Sequence, residues 1–189
     1  MTSGECETCL YDIQKGDVDG LNRLYTAYHP AVFALALAIL KDYHEAEDAA
    51  QDVFLKIWSG ADTYRFGCNP RAWIMGIAHN LCCDIVRKNR REVPDGEVGF
   101  LSSGGGEPPV EELITEKLTL QRALENLPDI EREIFVLHFA GDMTYLAIGR
   151  MLGLPLATVA WKCARSVRTM QQLLNPPADE TVVKPVGEG

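Results

Sequence analysis

The chain contains no apolar run long enough to cross a bilayer. The longest, Ala31 to Leu40, predicts a buried helix instead. Its opening residues, MTSGECETC, lack the basic segment followed by an apolar one that would mark a signal peptide, so a cytoplasmic protein is expected. Strand-like alternation of useful length is missing, and so is any internal repeat, which leaves helix as the regular structure. Reaction chemistry has no foothold either. There is no HExxH, no phosphate-binding Walker loop, no glycine-rich dinucleotide turn and no nucleophile–base pair in a supporting context. The expectation is a protein without catalytic residues or cofactor. Positive charge is scarce: 18 Lys+Arg stand against 27 Asp+Glu, a net charge of -9. Taken alone, that balance argues against tight binding of free DNA.

Six cysteines in a reducing compartment predict free thiols. Cys6 and Cys9 form a lone CxxC, but Leu10 follows where haem attachment needs His. Two ligands do not make a structural zinc site. The pair reads as small residues in a mobile N-terminus, with a metal or redox role as the alternative. Of the adjacent Cys82 and Cys83, at least one is expected in a core, and Cys163 reads as a small apolar filler.

What the chain does have is charge in blocks. Residues 42–62 carry Asp42, Glu45, Glu47, Asp48, Asp52 and Asp62 against Lys56 alone. Residues 65–91 reverse the sign, with Arg65, Arg71, Arg87, Lys88, Arg90 and Arg91 against Asp84. Residues 144–175 hold Arg150, Lys162, Arg165 and Arg168 and no acid. Between the last two blocks, 92–110 is rich in Gly, Ser, Pro and acid, the composition of a flexible linker. An all-α protein is predicted: a helical domain over 10–91, a second over 111–175, and a disordered tail over 176–189.

Within the first domain, Ala46, Ala49, Ala50, Val53, Phe54, Ile57 and Trp58 keep the three-four spacing of one buried helix face. Asp42 suits the N-cap, with Glu45 three residues on as in a capping box. Glu47, Asp48, Gln51, Asp52 and Leu55 fall on the opposite face, which could be merely solvated. Pro70 suits the first turn of the next helix. There Trp73, Ile74, Ile77, Leu81 and Ile85 make a buried stripe. Arg71, His79, Asn80, Asp84, Arg87 and Lys88 carry the polar chemistry. The preceding loop mixes Tyr64, Arg65 and Phe66, flat rings beside a cation. That combination suits an unstacked base, or equally an aromatic plug for the domain.

In the second domain, Leu113, Leu120, Leu124 and Leu127 predict a helix ending at Pro128, followed by a helix from about Ile130 to Phe139. Residues 144–170 then read as two helices joined by a tight turn at Gly153 to Pro155. Thr144 serves as cap, and Gly149 allows a close crossing. Ile148, Leu152 and Val159 form the core. The second helix carries Lys162, Arg165 and Arg168. This reads as a helix-turn-helix with a basic second helix, where a DNA reader places positive charge, with a purely structural helix pair as the alternative.

The order of these pieces resembles an extracytoplasmic-function (ECF) sigma factor of bacterial RNA polymerase. The resemblance covers about residues 10–174. It rests on EAEDAAQDVFLKIW, PRAWIMGIAHNLCCDIVRKNRR and LENLPDIEREIFVLHFAGDMTYLAIGRMLGLPLATV in that order. It implies that Glu47, Asp48, Gln51, Asp52 and Leu55 dock on core RNA polymerase. Tyr64, Arg65, Phe66, Arg71, Trp73, His79, Asn80, Arg87 and Lys88 would melt and hold the minus-ten element. Thr158, Trp161, Lys162, Arg165 and Arg168 would read the minus-thirty-five element. An anti-sigma factor is the expected regulator. Family members usually carry Lys-Ser-Arg after the Thr-Val pair that opens the last helix. Here Ala160, Trp161 and Lys162 follow, so a large indole replaces a small hydroxyl and one cation is missing. Three spaced cations on that helix predict a salt slope of about two to three units, too weak for the chain to hold a promoter alone.

Overall fold

The computed structural model describes residues 1–92 and 123–174, and the regular structure among them is entirely helical. The predicted linker, the tail and the segment containing Leu113 and Leu120 lie outside the described residues.

Helix α1 (Ser3–Gln14) begins with a complete capping box between Thr2 and Glu5. It corrects the expectation of a mobile N-terminus. Cys6, Cys9, Leu10 and Ile13 recur at helical spacing and are buried in the main core. The thiols of Cys6 and Cys9 are pushed up by that burial. Gly16, at φ +81, turns the chain into α2 (Val18–Leu40), capped by Asp17. The crossing is close because residue 20 is glycine. A Cβ there would meet Asp12 Cβ and the Cys9 carbonyl oxygen at 2.8 Å each.

The 23-residue α2 is, by length and composition, able to cross a membrane, which the shorter run Ala31 to Leu40 is not. Its apolar character has another explanation. Leu24, Val32 and Leu35 are fully buried among the surrounding helices. Each such side chain contributes about 1.5–3 kcal/mol through burial. Lys41, at φ +62, ends the helix.

Asp42 caps α3 (Tyr43–Gly60) by accepting from the Glu45 N–H at 2.9 Å. The Glu45 carboxylate accepts from Asn89 Nδ2 (3.2 Å), tying α3 to the far end of α4. Ala46, Ala49, Ala50, Val53, Phe54 and Ile57 are buried as the spacing predicts, whereas Trp58 sits at the edge of the stripe, 36% exposed. A short 3-10 turn (Ala61–Thr63) and the loop 64–69 lead to α4 (Pro70–Glu92).

In the described C-terminal part, helical residues 123–125 precede α5 (Asp129–Phe139), α6 (Tyr145–Leu152) and α7 (Leu156–Leu174). Thr144 caps α6 through the Ala147 N–H, and Gly153 at φ +67 makes the turn into α7. A Cβ at Gly149 would lie 2.7 Å from the Leu154 carbonyl oxygen, so the helix-turn-helix needs glycine there. Ile148 and Val159 are fully buried and Leu152 half-buried.

The two parts close on each other. Helix α5 lies against α2, and one core cluster contains residues of both. Arg132, 6% exposed, donates from Nη1 to the Ala38 carbonyl oxygen (3.3 Å), and its remaining nitrogens reach the carbonyl oxygens of Leu124, Glu125 and Leu127. Lys41 pairs with Asp129 at 2.8 Å and holds that carboxyl below its ordinary range.

Candidate nucleic-acid interface

Helix α3 has two unlike faces. The apolar stripe faces the core, and Glu47, Asp48, Gln51, Asp52 and Leu55 are all exposed on the other side. Leu55 is 64% exposed, a large apolar residue set among carboxylates. Carboxylates alone read as a solvated face. Carboxylates framing an accessible leucine make a surface able to bury apolar area against a basic partner.

The 64–69 loop divides its aromatic residues between two tasks. Tyr64 is buried, 3% exposed, with its ring edge-on to Trp73 (centroids 5.4 Å) and Phe66 (5.5 Å). The loop's rings read equally as a stacking surface for a base or as an aromatic plug for the domain. The Tyr64 ring is internal, because the hydroxyl is turned inward to Glu7 Oε1 (2.8 Å) and the Cys68 carbonyl oxygen (2.7 Å). Burial and the nearby carboxylate push that hydroxyl above its ordinary range. Phe66 is the accessible ring, 50% exposed beside exposed Arg65. Gly67, at φ +85, supplies the turn.

On α4, Asn80, Arg87 and Lys88 are exposed, and Arg87 pairs with Asp84 at 2.7 Å. Trp73 is half-buried against Tyr64. Arg71 and His79 are engaged within the chain. Arg71 donates to the Met1 carbonyl oxygen (2.7 Å) and forms an ion pair with Asp142. His79 Nε2 lies 3.4 Å from Glu133 Oε2 on α5. Two of the residues expected at the minus-ten surface are thus covered by the C-terminal part in this arrangement. Between α4 and α6 an open cleft remains, lined by Asn69, Gly76, Asn80, Thr144 and Arg150 among others.

Helix α7 presents Trp161 at 59% exposure, with Lys162 Nζ and the Arg165 guanidinium 5.7 and 5.6 Å from its ring centroid. Thr158 is half-buried, and Arg165 and Arg168 are exposed. Lys162 differs, with a side chain only 22% exposed and 3.5 Å from Glu131 Oε1. Arg165 reaches the same oxygen at 3.4 Å. Glu131 is 2% exposed, and its own carbonyl oxygen accepts from Ser166 Oγ at 3.3 Å. The sequence offers no signal for this, because no local pattern links Glu131 to α7.

All six cysteines are free. Cys82 is fully buried, and burial pushes its thiol up to about 12. Cys163 is 1% exposed, a filler as expected. Among the described residues no cluster of His, Cys, Asp or Glu could hold a metal ion.

Residues 24–92 match Sigma-70 region 2, and residues 117–170 match Sigma-70, region 4. The chain is 30% identical over 129 residues to the ECF RNA polymerase sigma factor RpoE of Cereibacter sphaeroides, covering 71% of that protein and 68% of this chain. This chain belongs to the ECF sigma factors of RNA polymerase. A second ECF sigma factor, SigW of Bacillus subtilis, is 27% identical over 176 residues, with 87% of this chain and 94% of SigW covered. Among solved structures, the sigma factor RpoE in complex with the anti-sigma factor NepR from Bartonella quintana superposes with a TM-score of 0.68. The identity is 27%, over 81% of this chain and 95% of that one. Region 2 thus contains α3, the loop and α4, and region 4 contains the helix-turn-helix. As a sigma factor the chain works with RNA polymerase and promoter DNA.

Proposed function

We propose that this sigma factor docks on core polymerase through Glu47, Asp48, Gln51, Asp52 and Leu55, and reads a promoter through two separate surfaces. The observation that carries the reading is the division of labour along 43–92. One face of α3 groups exposed Glu47, Asp48, Gln51, Asp52 and Leu55, and the loop and helix after it expose Arg65, Phe66, Asn80, Arg87 and Lys88. Phe66 offers its face to an unstacked base of the minus-ten element, with Tyr64 packed edge-on against it and Trp73 in turn against Tyr64. Capturing an extruded base offsets an unstacking cost of a few kcal/mol. No bond is made or broken, and the chain has no enzymatic role.

At the minus-thirty-five element, α7 enters the major groove with Trp161, Arg165 and Arg168 foremost. Lys162 serves first as counter-charge to Glu131. That leaves fewer cations for phosphates and strengthens the case that the chain alone holds duplex DNA weakly. Core polymerase supplies affinity by fixing both readers on one platform. Arg71 and His79 become available to DNA when α5 and the segment around Asp142 move off α4, so engagement of core opens the chain. An anti-sigma factor, of the kind bound to the Bartonella quintana relative, would hold it inactive in the cytoplasm.

Two substitutions test the assignment. Asp52→Arg is expected to weaken core binding at least about tenfold, through reversed charge at the interface. Arg168→Ala is expected to leave core binding intact and weaken promoter use. The opposite pattern would reverse the assignment of the two faces.

A further inference from the structure

Helix α1 lies before the residues that match Sigma-70 region 2, yet it holds the loop that the reading above assigns to the minus-ten strand. Glu7 is half-buried, and one of its oxygens takes two partners from that loop. The Gly67 N–H donates to Oε1 at 2.8 Å, and the Tyr64 hydroxyl lies 2.8 Å from the same atom. One turn further along the same face, Tyr11 meets Phe66 edge-on, ring centroids 6.2 Å apart. At the end of the helix, Gln14 Nε2 donates to the Ala61 carbonyl oxygen at 2.8 Å, at the start of the turn into the loop. The loop's other internal ties are few: the Tyr64 hydroxyl to the Cys68 carbonyl oxygen, and the Cys68 N–H to the Arg65 carbonyl oxygen at 3.2 Å.

We infer that Glu7 is a positioning residue for minus-ten recognition, fixing the loop so that Phe66 is presented in one orientation before DNA arrives. The inference rests on the reading of Phe66 as the base-contacting ring. Its physical basis is preorganisation. A loop of exposed residues around a left-handed glycine samples many shapes, and each must be frozen out at binding. A carboxylate that accepts from a backbone N–H in the middle of the loop removes that cost in advance, with the added strength of a charged acceptor. Tyr64, buried with its hydroxyl on the same oxygen, transmits the constraint to the ring stack beneath Phe66.

The test uses the full chain and its complex with core polymerase. Glu7→Ala, Glu7→Gln and Tyr64→Phe are compared with Phe66→Ala. Three readouts are followed: core affinity, affinity of the holoenzyme for a single-stranded minus-ten oligonucleotide, and hydrogen exchange of the Gly67 amide in the chain alone. Glu7→Ala is expected to speed Gly67 exchange and to weaken oligonucleotide binding, each about tenfold, the worth of one charge-assisted hydrogen bond. Core affinity should stay within about twofold, because the acidic face of α3 is untouched. Glu7→Gln keeps an oxygen acceptor and recovers most of both effects. Tyr64→Phe keeps the packed ring, loses the hydroxyl, and gives a smaller loss of the same kind. If Phe66→Ala weakens the oligonucleotide and both Glu7→Ala and Tyr64→Phe leave it at the wild-type level, the inference is overturned while the reading of the loop stands. If Phe66→Ala has no effect, the reading and the inference fall together.

Discussion

His79 of α4 and Glu133 of α5 meet across the boundary between region 2 and region 4, Nε2 to Oε2 at 3.4 Å, and both side chains are largely shielded from solvent. The contact occupies a residue expected to face promoter DNA. Arg71 and Asp142 repeat the arrangement nearby. The C-terminal part therefore places acids on the basic surface of the N-terminal part, the same charge complementarity that a phosphate backbone would use.

A double variant, Glu133→Gln with Asp142→Asn, removes both acids without changing side-chain size. The free chain is then expected to bind a single-stranded minus-ten oligonucleotide about three to ten times more tightly at low salt, since two competing acids are gone. Fluorescence anisotropy measures it. Unchanged affinity would mean that the contacts do not restrain the DNA surface.

Glu131 separates two kinds of cation on α7. It is buried and lies between Lys162 and Arg165, so Glu131→Ala leaves a partly buried ammonium without its counter-charge. The expected cost is about 1–3 kcal/mol of stability, seen as a lowered melting temperature. Lys162→Ala is expected to lower stability more than promoter affinity. Arg168→Ala, at an exposed position, should do the reverse.

Trp161 is the exposed indole of the recognition helix, with two cations against its face. Trp161→Ala is expected to cost about 1–3 kcal/mol of discrimination at the minus-thirty-five element, through lost apolar contact with base edges. Initiation from a panel of altered minus-thirty-five sequences, with core polymerase present, would show a flattened preference. An undiminished preference would place specificity elsewhere on α7.

Buried thiols and phenols set the alkaline behaviour. Cys82 is pushed up to about 12 by burial, as is Tyr28, and Cys6 and Cys9 are raised for the same reason. A folded-state value above the unfolded one means that the native state holds the proton more tightly. The stabilisation is complete below the unfolded values, near 9 for a thiol and 10 for a phenol, and is lost as pH rises toward about 12. The melting temperature should fall between those limits, and Cys82→Ala should shallow the fall. Alkylation at neutral pH should label exposed Cys68 well before the others. Early labelling of Cys6 and Cys9 would contradict their burial.

Much of this was legible in the sequence because helix periodicity reports burial directly. The stripe of α3, the caps at Asp42 and Thr144, the close glycine at 149 and the turn at Gly153 are local features with local causes. What escaped was long-range. The N-terminus reads as mobile because chain ends usually are, and its two cysteines are too few for a structural zinc site to order it. As small apolar residues at helical spacing, with Leu10 and Ile13, they instead build a core face. For Tyr64 an aromatic and basic loop admits a stacking ring or a plug, and part of what turns it inward is Glu7, 57 residues away. Lys162 looked like a phosphate contact because no sequence pattern links it to Glu131. An ion pair between a buried carboxylate and a distant, partly buried lysine leaves no periodicity to read.

The most direct measurement is promoter-dependent run-off transcription from the DNA upstream of this protein's own gene. It uses core polymerase with the purified chain, alongside a duplex-binding assay of the chain alone in the same salt. Specific initiation with core, abolished by Asp52→Arg, together with little duplex binding by the free chain, is the predicted result. Tight, sequence-selective binding of intact duplex by the free chain, with no association with polymerase, would contradict it.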